Sequence, residues 1–259
     1  MCRLAAYIGP ELLLSRLLEE PPHSLIQQSW APEEMNEARL NADGFGFGWT
    51  TRNHQALRYT SILPIWSDTN LTALGQSLKS SVWLANVRSA TPGQDLGRMN
   101  TQPFIYSGFM FLHNGYLQGF DTDIKRRFHE RLSAEVQTGI QGNTDSEFLF
   151  ALFRQCMNEG PADTGNGLIK ALESLTDLLD GTVALLNIVL YDGKNLLACR
   201  YAMNGGECPS LYYTWNHPHF PKATLVASEP FSMPECWREV DKHCILVFAQ
   251  DAPCRSLKL

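Results

Sequence analysis

The sequence contains no run approaching twenty apolar residues, so no membrane-spanning helix is expected. A dense basic tract is missing too. Its 21 Lys and Arg are outnumbered by 27 Asp and Glu, and the densest cationic patch is Lys125-Arg126-Arg127. That triplet reads as the solvated face of a helix, and nucleic acid is not an expected partner. The seven cysteines include no CxxC pair, and their number is odd, which argues against a disulfide framework or a zinc site. Thiols in a reducing cytosol are the simpler account, and a cytoplasmic location is expected. The apolar run after Met1 is too short for a signal peptide, and it is soon interrupted by the charges of Glu11 and Arg16. Internal repeats and low-complexity linkers are lacking, so 1–259 is expected to form one domain.

What is present is ordinary for a globular chain: 44% hydrophobic and 19% charged residues over 259 positions, enough for a sizeable core. Glu11–Leu18 reads as a short helix ended by Pro21-Pro22, followed by a loop through Ser29-Trp30. In Asn41-Ala42-Asp43-Gly44-Phe45-Gly46-Phe47-Gly48-Trp49, glycines alternate with aromatics. This predicts a turn entering a strand with one face kept clear for another backbone or a ligand. The stretch is not GxGxxG and no βαβ context comes after it, so no dinucleotide, and no other cofactor or metal, is expected.

Strands are predicted at 57–62, 82–88, 103–106 and 109–113, the last pair as a hairpin around Ser107-Gly108. Asn114-Gly115 is a strong turn signal directly after the fourth. Helices are predicted at 69–79 and 121–134, in a segment opened by Thr144 and Glu147 as a capping box, and around Leu168–Leu179. Beyond Gly181 the pattern becomes strands, at 183–191, 196–201, 210–214, 224–228 and 244–248. Many strands with helices in two clusters indicate an α+β fold of antiparallel sheets covered by helices.

Cys2 follows the initiator Met directly, and its small side chain predicts removal of Met1. The mature first residue would then carry a thiol and a free α-amine. An amine titrating near pH ~8 can take the proton of a thiol near ~8.5, giving a nucleophile with its own base. The apolar run Leu4–Ile8 would hold that residue on a buried strand. Cys2 reads alternatively as a small hydrophobe at the start of a core strand.

Four stretches then fall into one order: Met1-Cys2, Arg88-Ser89-Ala90-Thr91, His113-Asn114-Gly115 and Thr144-Asp145-Ser146-Glu147. In order and spacing this set resembles the class II glutamine amidotransferases, a family of N-terminal-nucleophile hydrolases. The resemblance implies a four-layer αββα sandwich, two antiparallel sheets flanked by helices. It also implies roles. Cys2 would attack a γ-carboxamide. The Asn114 side chain and the Gly115 N–H would form an oxyanion hole, each donor mattering by ~3 kcal/mol. Arg88 would pair with the substrate α-carboxylate and Asp145 with its α-ammonium. Thr91 and His113, inside the matching motifs, join the substrate-binding set. A thioester formed on Cys2 would be hydrolysed by water. Arg88 and Asp145 read alternatively as a salt-bridge residue and a first-turn acid, and His113-Asn114-Gly115 as a plain turn.

Many ammonia-delivering members carry Trp after the Arg and His after the Thr, where this sequence has Ser89 and Pro92. Together with Asn41–Gly46 and Ala227-Ser228-Glu229-Pro230, this resembles the stand-alone amidohydrolase branch of ergothioneine biosynthesis, which acts on γ-glutamyl-hercynylcysteine sulfoxide. Its leaving amine bears an imidazole and a trimethylammonium group. Trp30, Phe45, Phe47 and Trp49 are candidates to face that cation, or else core aromatics. The expected partner is a small γ-glutamyl substrate, with no nucleic acid and no membrane. Two alternatives stay open: a glutaminase subunit supplying ammonia to a separate synthase, and a catalytically inactive binding homologue.

Overall fold

The computed structural model describes residues 1–35, 40–90, 95–249 and 252–259. Two antiparallel sheets lie face to face. The first has seven strands: β1 (Arg3–Leu13), β2 (Phe45–Thr50), β3 (Ala56–Ser61), β4 (Lys79–Val87), β9 (Tyr212–His217), β10 (Phe220–Ala227) and β11 (Arg238–Glu239). Their order across the sheet is β11-β9-β10-β1-β4-β2-β3. The second has six: β5 (Phe104–Tyr106), β6 (Phe109–Leu117), β7 (Ala184–Tyr191), β8 (Asn195–Met203), β12 (Cys244–Ala249) and β13 (Ala252–Lys258). These run in the order β13-β12-β8-β7-β6-β5.

Period-two alternation sorts each strand between two cores. Leu4, Ala6 and Ile8 of β1 join Leu84, Met110, Leu112, Val189 and Val226 in an apolar slab between the sheets. Ala5 and Tyr7, their odd-numbered neighbours, face outward onto α1 (Leu14–Leu18), α2 (Leu25–Trp30) and α3 (Leu71–Ser77) with Phe45, Phe47 and Trp83. On the far side, Phe111, Ile188, Leu190 and Leu197 meet α4 (Lys125–Arg131), α5 (Ala134–Thr138), α6 (Asp145–Asn158) and α7 (Thr164–Leu179). Each Leu or Phe buried this way contributes about 1.5–3 kcal/mol. The four layers are the αββα sandwich that the family resemblance implies.

Several boundaries move. The apolar run at the start of β1 continues in the ladder to Leu13, so the helix expected from Glu11 begins only at Leu14. Helix α2, expected as loop, forms where Ser24 caps the Gln27 N–H. The helix expected over 121–134 is broken into an irregular turn at Phe120–Ile124 and then α4. The larger change concerns Asn114-Gly115. It is no turn: β6 runs through it to Leu117, paired to β7 as His113↔Ile188, Asn114↔Asn187 and Gly115↔Leu186. A full neighbouring strand outweighs the local turn preference. The capping box is half formed. Thr144 accepts the Glu147 N–H, but the Glu147 carboxylate turns back to the N–H groups of Gln141 and Gly142.

The glycines of β2 make room for backbone, not for a ligand. A Cβ on Gly46 would lie 2.2 Å from the Gln102 carbonyl oxygen, and one on Gly48 would lie 2.9 Å from the Pro103 ring. The second sheet's approach strand therefore crosses against bare β2.

Candidate active site

Strand alternation places Cys2 on the same side of the first sheet as Leu4, facing the space between the sheets. Its Sγ lies 3.7 Å from the Ser89 carbonyl, because Arg3 pairs with Val87 and the two strand ends finish together. Cys2 is partly exposed. Burial pushes the thiols of Cys156, Cys199 and Cys208 up, away from the nucleophilic form.

Arg88 follows β4 and is buried. The predicted turn at 41–44 holds its backbone: Arg88 N–H donates to the Gly44 carbonyl, and its own carbonyl accepts from Asp43. The Asp43 carboxylate then accepts the Ala90 N–H at 2.8 Å. The guanidinium donates to the Asp95 carbonyl at 3.1 Å. Asn100 donates to that same carbonyl at 2.9 Å and exchanges two further bonds with Asn143. Asn143 stands two residues before Asp145, so a continuous relay joins Arg88 to the loop that delivers Asp145. Thr91 lies outside the described residues.

Asn114 is fully buried and points into the inter-sheet slab on the face of Leu112. Its Nδ2 lies 3.4 Å from the Ser228 Oγ, which also accepts the Leu4 N–H at 3.0 Å. At Gly115 a Cβ would come within 1.8 Å of the Leu185 carbonyl oxygen, so the close strand approach requires glycine. Asp145 opens α6, buried, with one carboxylate oxygen on the Leu117 N–H at 2.9 Å and the other on the Ser146 N–H at 2.8 Å. It ties the helix start to the end of β6.

His113 is not brought to this group. Its ring points the other way, into the helical layer, with Nδ1 at 2.8 Å from Ser146 Oγ and Nε2 at 3.0 Å from the Leu185 carbonyl. Both ring nitrogens are occupied by protein. Burial pulls its pKa below the ordinary histidine value, against the pull of the Asp145 charge. Gln102 brackets its backbone, accepting from His113 N–H and donating to its carbonyl. The aromatics also resolve. Phe45 and Phe47 are core residues, Phe47 stacked on Tyr59 at 5.3 Å, and Trp49 packs beside them. Trp30 is half exposed against Trp66.

Sequence reasoning missed a buried ionic hub on the outer face. Arg3 donates to Glu229 at 3.1 Å, both fully buried. Glu229 also holds His23 Nε2 at 2.6 Å and the N–H groups of Glu33 and Glu34. Burial alone would raise the Glu229 pKa, but His23, these N–H groups and Arg3 together hold it below the usual carboxylate range. The charged residue immediately after a buried strand was the available signal. A cavity of about 570 Å³ opens beside Met1, walled by Tyr116, Leu185, Arg200, Ser210, Glu34 and Glu239. Among the described residues, no cluster of His, Cys, Asp or Glu could hold a metal, and no helix is long and apolar enough to cross a membrane.

Residues 23–229 match the family described as class II glutamine amidotransferases. The chain belongs to that family. It is an amide-bond hydrolase. A probable glutamine amidotransferase of Saccharomyces cerevisiae, DUG3, is 32% identical over 83% of this chain and 68% of its own length. A γ-glutamyl-hercynylcysteine sulfoxide hydrolase of Mycolicibacterium smegmatis is 29% identical over 97% of each chain. Among solved structures, a class II glutamine aminotransferase domain protein from Silicibacter pomeroyi superposes with a TM-score of 0.73 over 99% of both chains at 24% identity, a likeness of fold.

Proposed function

We propose that this family member is a stand-alone amidohydrolase with Cys2 as nucleophile once Met1 is removed. The observation that carries this reading is the 3.7 Å approach of the Cys2 Sγ to the Ser89 carbonyl, which sets the thiol beside the residue after Arg88. The freed α-amine of Cys2 takes the thiol proton as sulfur bonds to the γ-carbonyl carbon. The oxyanion is held by the Asn114 amide and the Gly115 N–H. Collapse breaks the C–N bond, and the Cys2 ammonium returns its proton to the leaving amine. Water then attacks the thioester, releasing glutamate and restoring the thiol. Arg88 binds the substrate α-carboxylate and Asp145 its α-ammonium. His113 acts from behind, fixing β6 against α6.

The leaving amine is larger than ammonia. The cavity beside Met1 gives space that glutamine would leave empty. Glu33, Glu34, Glu207 and Glu239 contribute to its wall. Its one guanidinium, Arg200, is committed to Glu239 and to the carbonyls of Pro209 and Val240. Such a wall favours a cationic amine. The end-to-end similarity to a γ-glutamyl-hercynylcysteine sulfoxide hydrolase supports that compound as the substrate.

The test is to incubate protein of verified Cys2 N-terminus with γ-glutamyl-hercynylcysteine sulfoxide and with glutamine in parallel, and to measure glutamate. Faster release from the sulfoxide, abolished in Cys2→Ala, is expected. Equal or faster release from glutamine would overturn the leaving-group reading. Hydrolysis surviving Cys2→Ala would overturn the nucleophile.

A further inference from the structure

Among the described residues, the apolar slab between the sheets gives way to polar side chains at its Cys2 end, and one residue there bonds both the strand that follows Cys2 and the Asn114 amide. Ser228 follows β10 and is fully buried. Its N–H donates to the Leu4 carbonyl at 3.0 Å, extending the β1–β10 pairing by a rung. Its Oγ accepts twice, from the Leu4 N–H at 3.0 Å and from the Asn114 Nδ2 at 3.4 Å, which uses both hydroxyl lone pairs. Its carbonyl accepts from Ser210 Oγ at 2.9 Å. The Ser210 carbonyl in turn accepts from Nδ2 of Asn187, the residue paired with Asn114 across β6 and β7. The set closes on itself and links the strand that carries Cys2 to the strand that carries Asn114, across the two sheets.

We infer that Ser228 is a positioning residue for the hydrolysis, its hydroxyl fixing the Asn114 amide with respect to the nucleophile strand. This rests on the assignment of Cys2 and Asn114 made above. An amide nitrogen carries two hydrogens. With one directed at Ser228 Oγ, the planar group cannot rotate, and the other hydrogen keeps a fixed direction toward the developing oxyanion. Because Ser228 Oγ is itself held by the Leu4 N–H, two residues from Cys2, donor and nucleophile share one reference point. Eight register pairs with β4 and four with β10 keep β1 in place without the hydroxyl. Its removal therefore acts on the amide rather than on the thiol.

Ser228→Ala should lower kcat by about 10- to 100-fold, the loss expected for a small misplacement of a reacting group, with KM nearly unchanged. Alkylation of Cys2 by iodoacetamide should proceed within about twofold of the wild-type rate, because the thiol stays where it was. In an Asn114→Ala background the added Ser228→Ala change should cost little more, because the amide it orients is already gone. Ser228→Cys, which fills the site with a slightly larger atom and offers a weaker acceptor, should show the same kcat loss if the alanine variant folds poorly. Wild-type kcat in either folded variant, or a full additional loss in the Asn114→Ala background, would overturn the inference. Wild-type protein that hydrolyses no γ-glutamyl amide, or hydrolysis surviving Cys2→Ala, would instead strike the site assignment beneath it.

Discussion

The guanidinium of Arg88 and the side-chain amide of Asn100 donate to one acceptor, the backbone carbonyl of Asp95, at 3.1 and 2.9 Å. Asn100 also bonds Asn143, on the loop that leads into Asp145. Two groups proposed to read opposite ends of an amino acid head group are thus set by a third side chain that touches neither end.

Replacing that link should weaken substrate binding more than chemistry. Asn100→Ala is expected to raise KM by about tenfold, roughly 1.4 kcal/mol, and to change kcat less. Arg88→Lys should raise KM further, since a point-charge ammonium cannot make a two-pronged contact with a carboxylate. Steady-state kinetics on one γ-glutamyl substrate separate the two effects, and an unchanged KM in Arg88→Lys would remove the guanidinium from the head-group site.

The ionic hub should matter for stability. Glu229→Ala leaves the fully buried Arg3 guanidinium without its carboxylate and frees the Glu33 and Glu34 N–H groups. Breaking a buried pair from one side costs about 3–5 kcal/mol. Denaturant unfolding should show a loss of that size. A loss below about 1 kcal/mol, roughly the worth of a surface pair, would mean the hub is only weakly coupled to folding.

Stability should also fall on the acid side. His113 and His217 both have pKa values lowered by burial from the ordinary 6.5. Below pH 6.5 the unfolded chain takes up protons that the folded one refuses, so their contribution is present at neutral pH and is lost as the pH drops. The slope is at most about 1.4 kcal/mol per pH unit for each histidine. Denaturant midpoints measured from about pH 8 to about pH 5.5 should decline below roughly 6.5, and His113→Gln should make that decline shallower.

Gly115→Ala tests the strand approach. The added Cβ would meet the Leu185 carbonyl at 1.8 Å, backbone that no side-chain rotation can relieve. We expect the β6–β7 ladder to be disrupted and the variant to be largely unfolded or insoluble, judged by circular dichroism. A folded variant with normal stability would show that β6 and β7 can separate there at little cost.

Antiparallel sheets covered by helices could be read from the sequence, but the four-layer order was implied only by the family resemblance: Leu4–Ile8 is apolar at every position, and which residues face which core shows only in the structure. The motif residues were legible because each lies in a short recognisable run. Asn114-Gly115 was misjudged as a possible turn because dipeptide preference is local, whereas its conformation is set by β7, far along the chain. Ser228 and Asn100 carried no signal of their contacts, and Glu229 signalled only a charge after a buried strand. Their partners lie 114, 43 and 226 positions away, and only the sheet topology brings them together.

The alternation at the beginning of β1 has one more outcome. Neighbouring positions there serve opposite surfaces, with the sulfur of Cys2 turned inward and the cation of Arg3 turned outward to Glu229. Inserting one amino acid between Arg3 and Leu4, with the remainder of the strand held in place, would exchange those surfaces, turning the charge toward the apolar slab and the sulfur toward an acid. The phase of this strand is thus fixed by the opposite demands of two neighbouring side chains, one needing the slab and the other an acid.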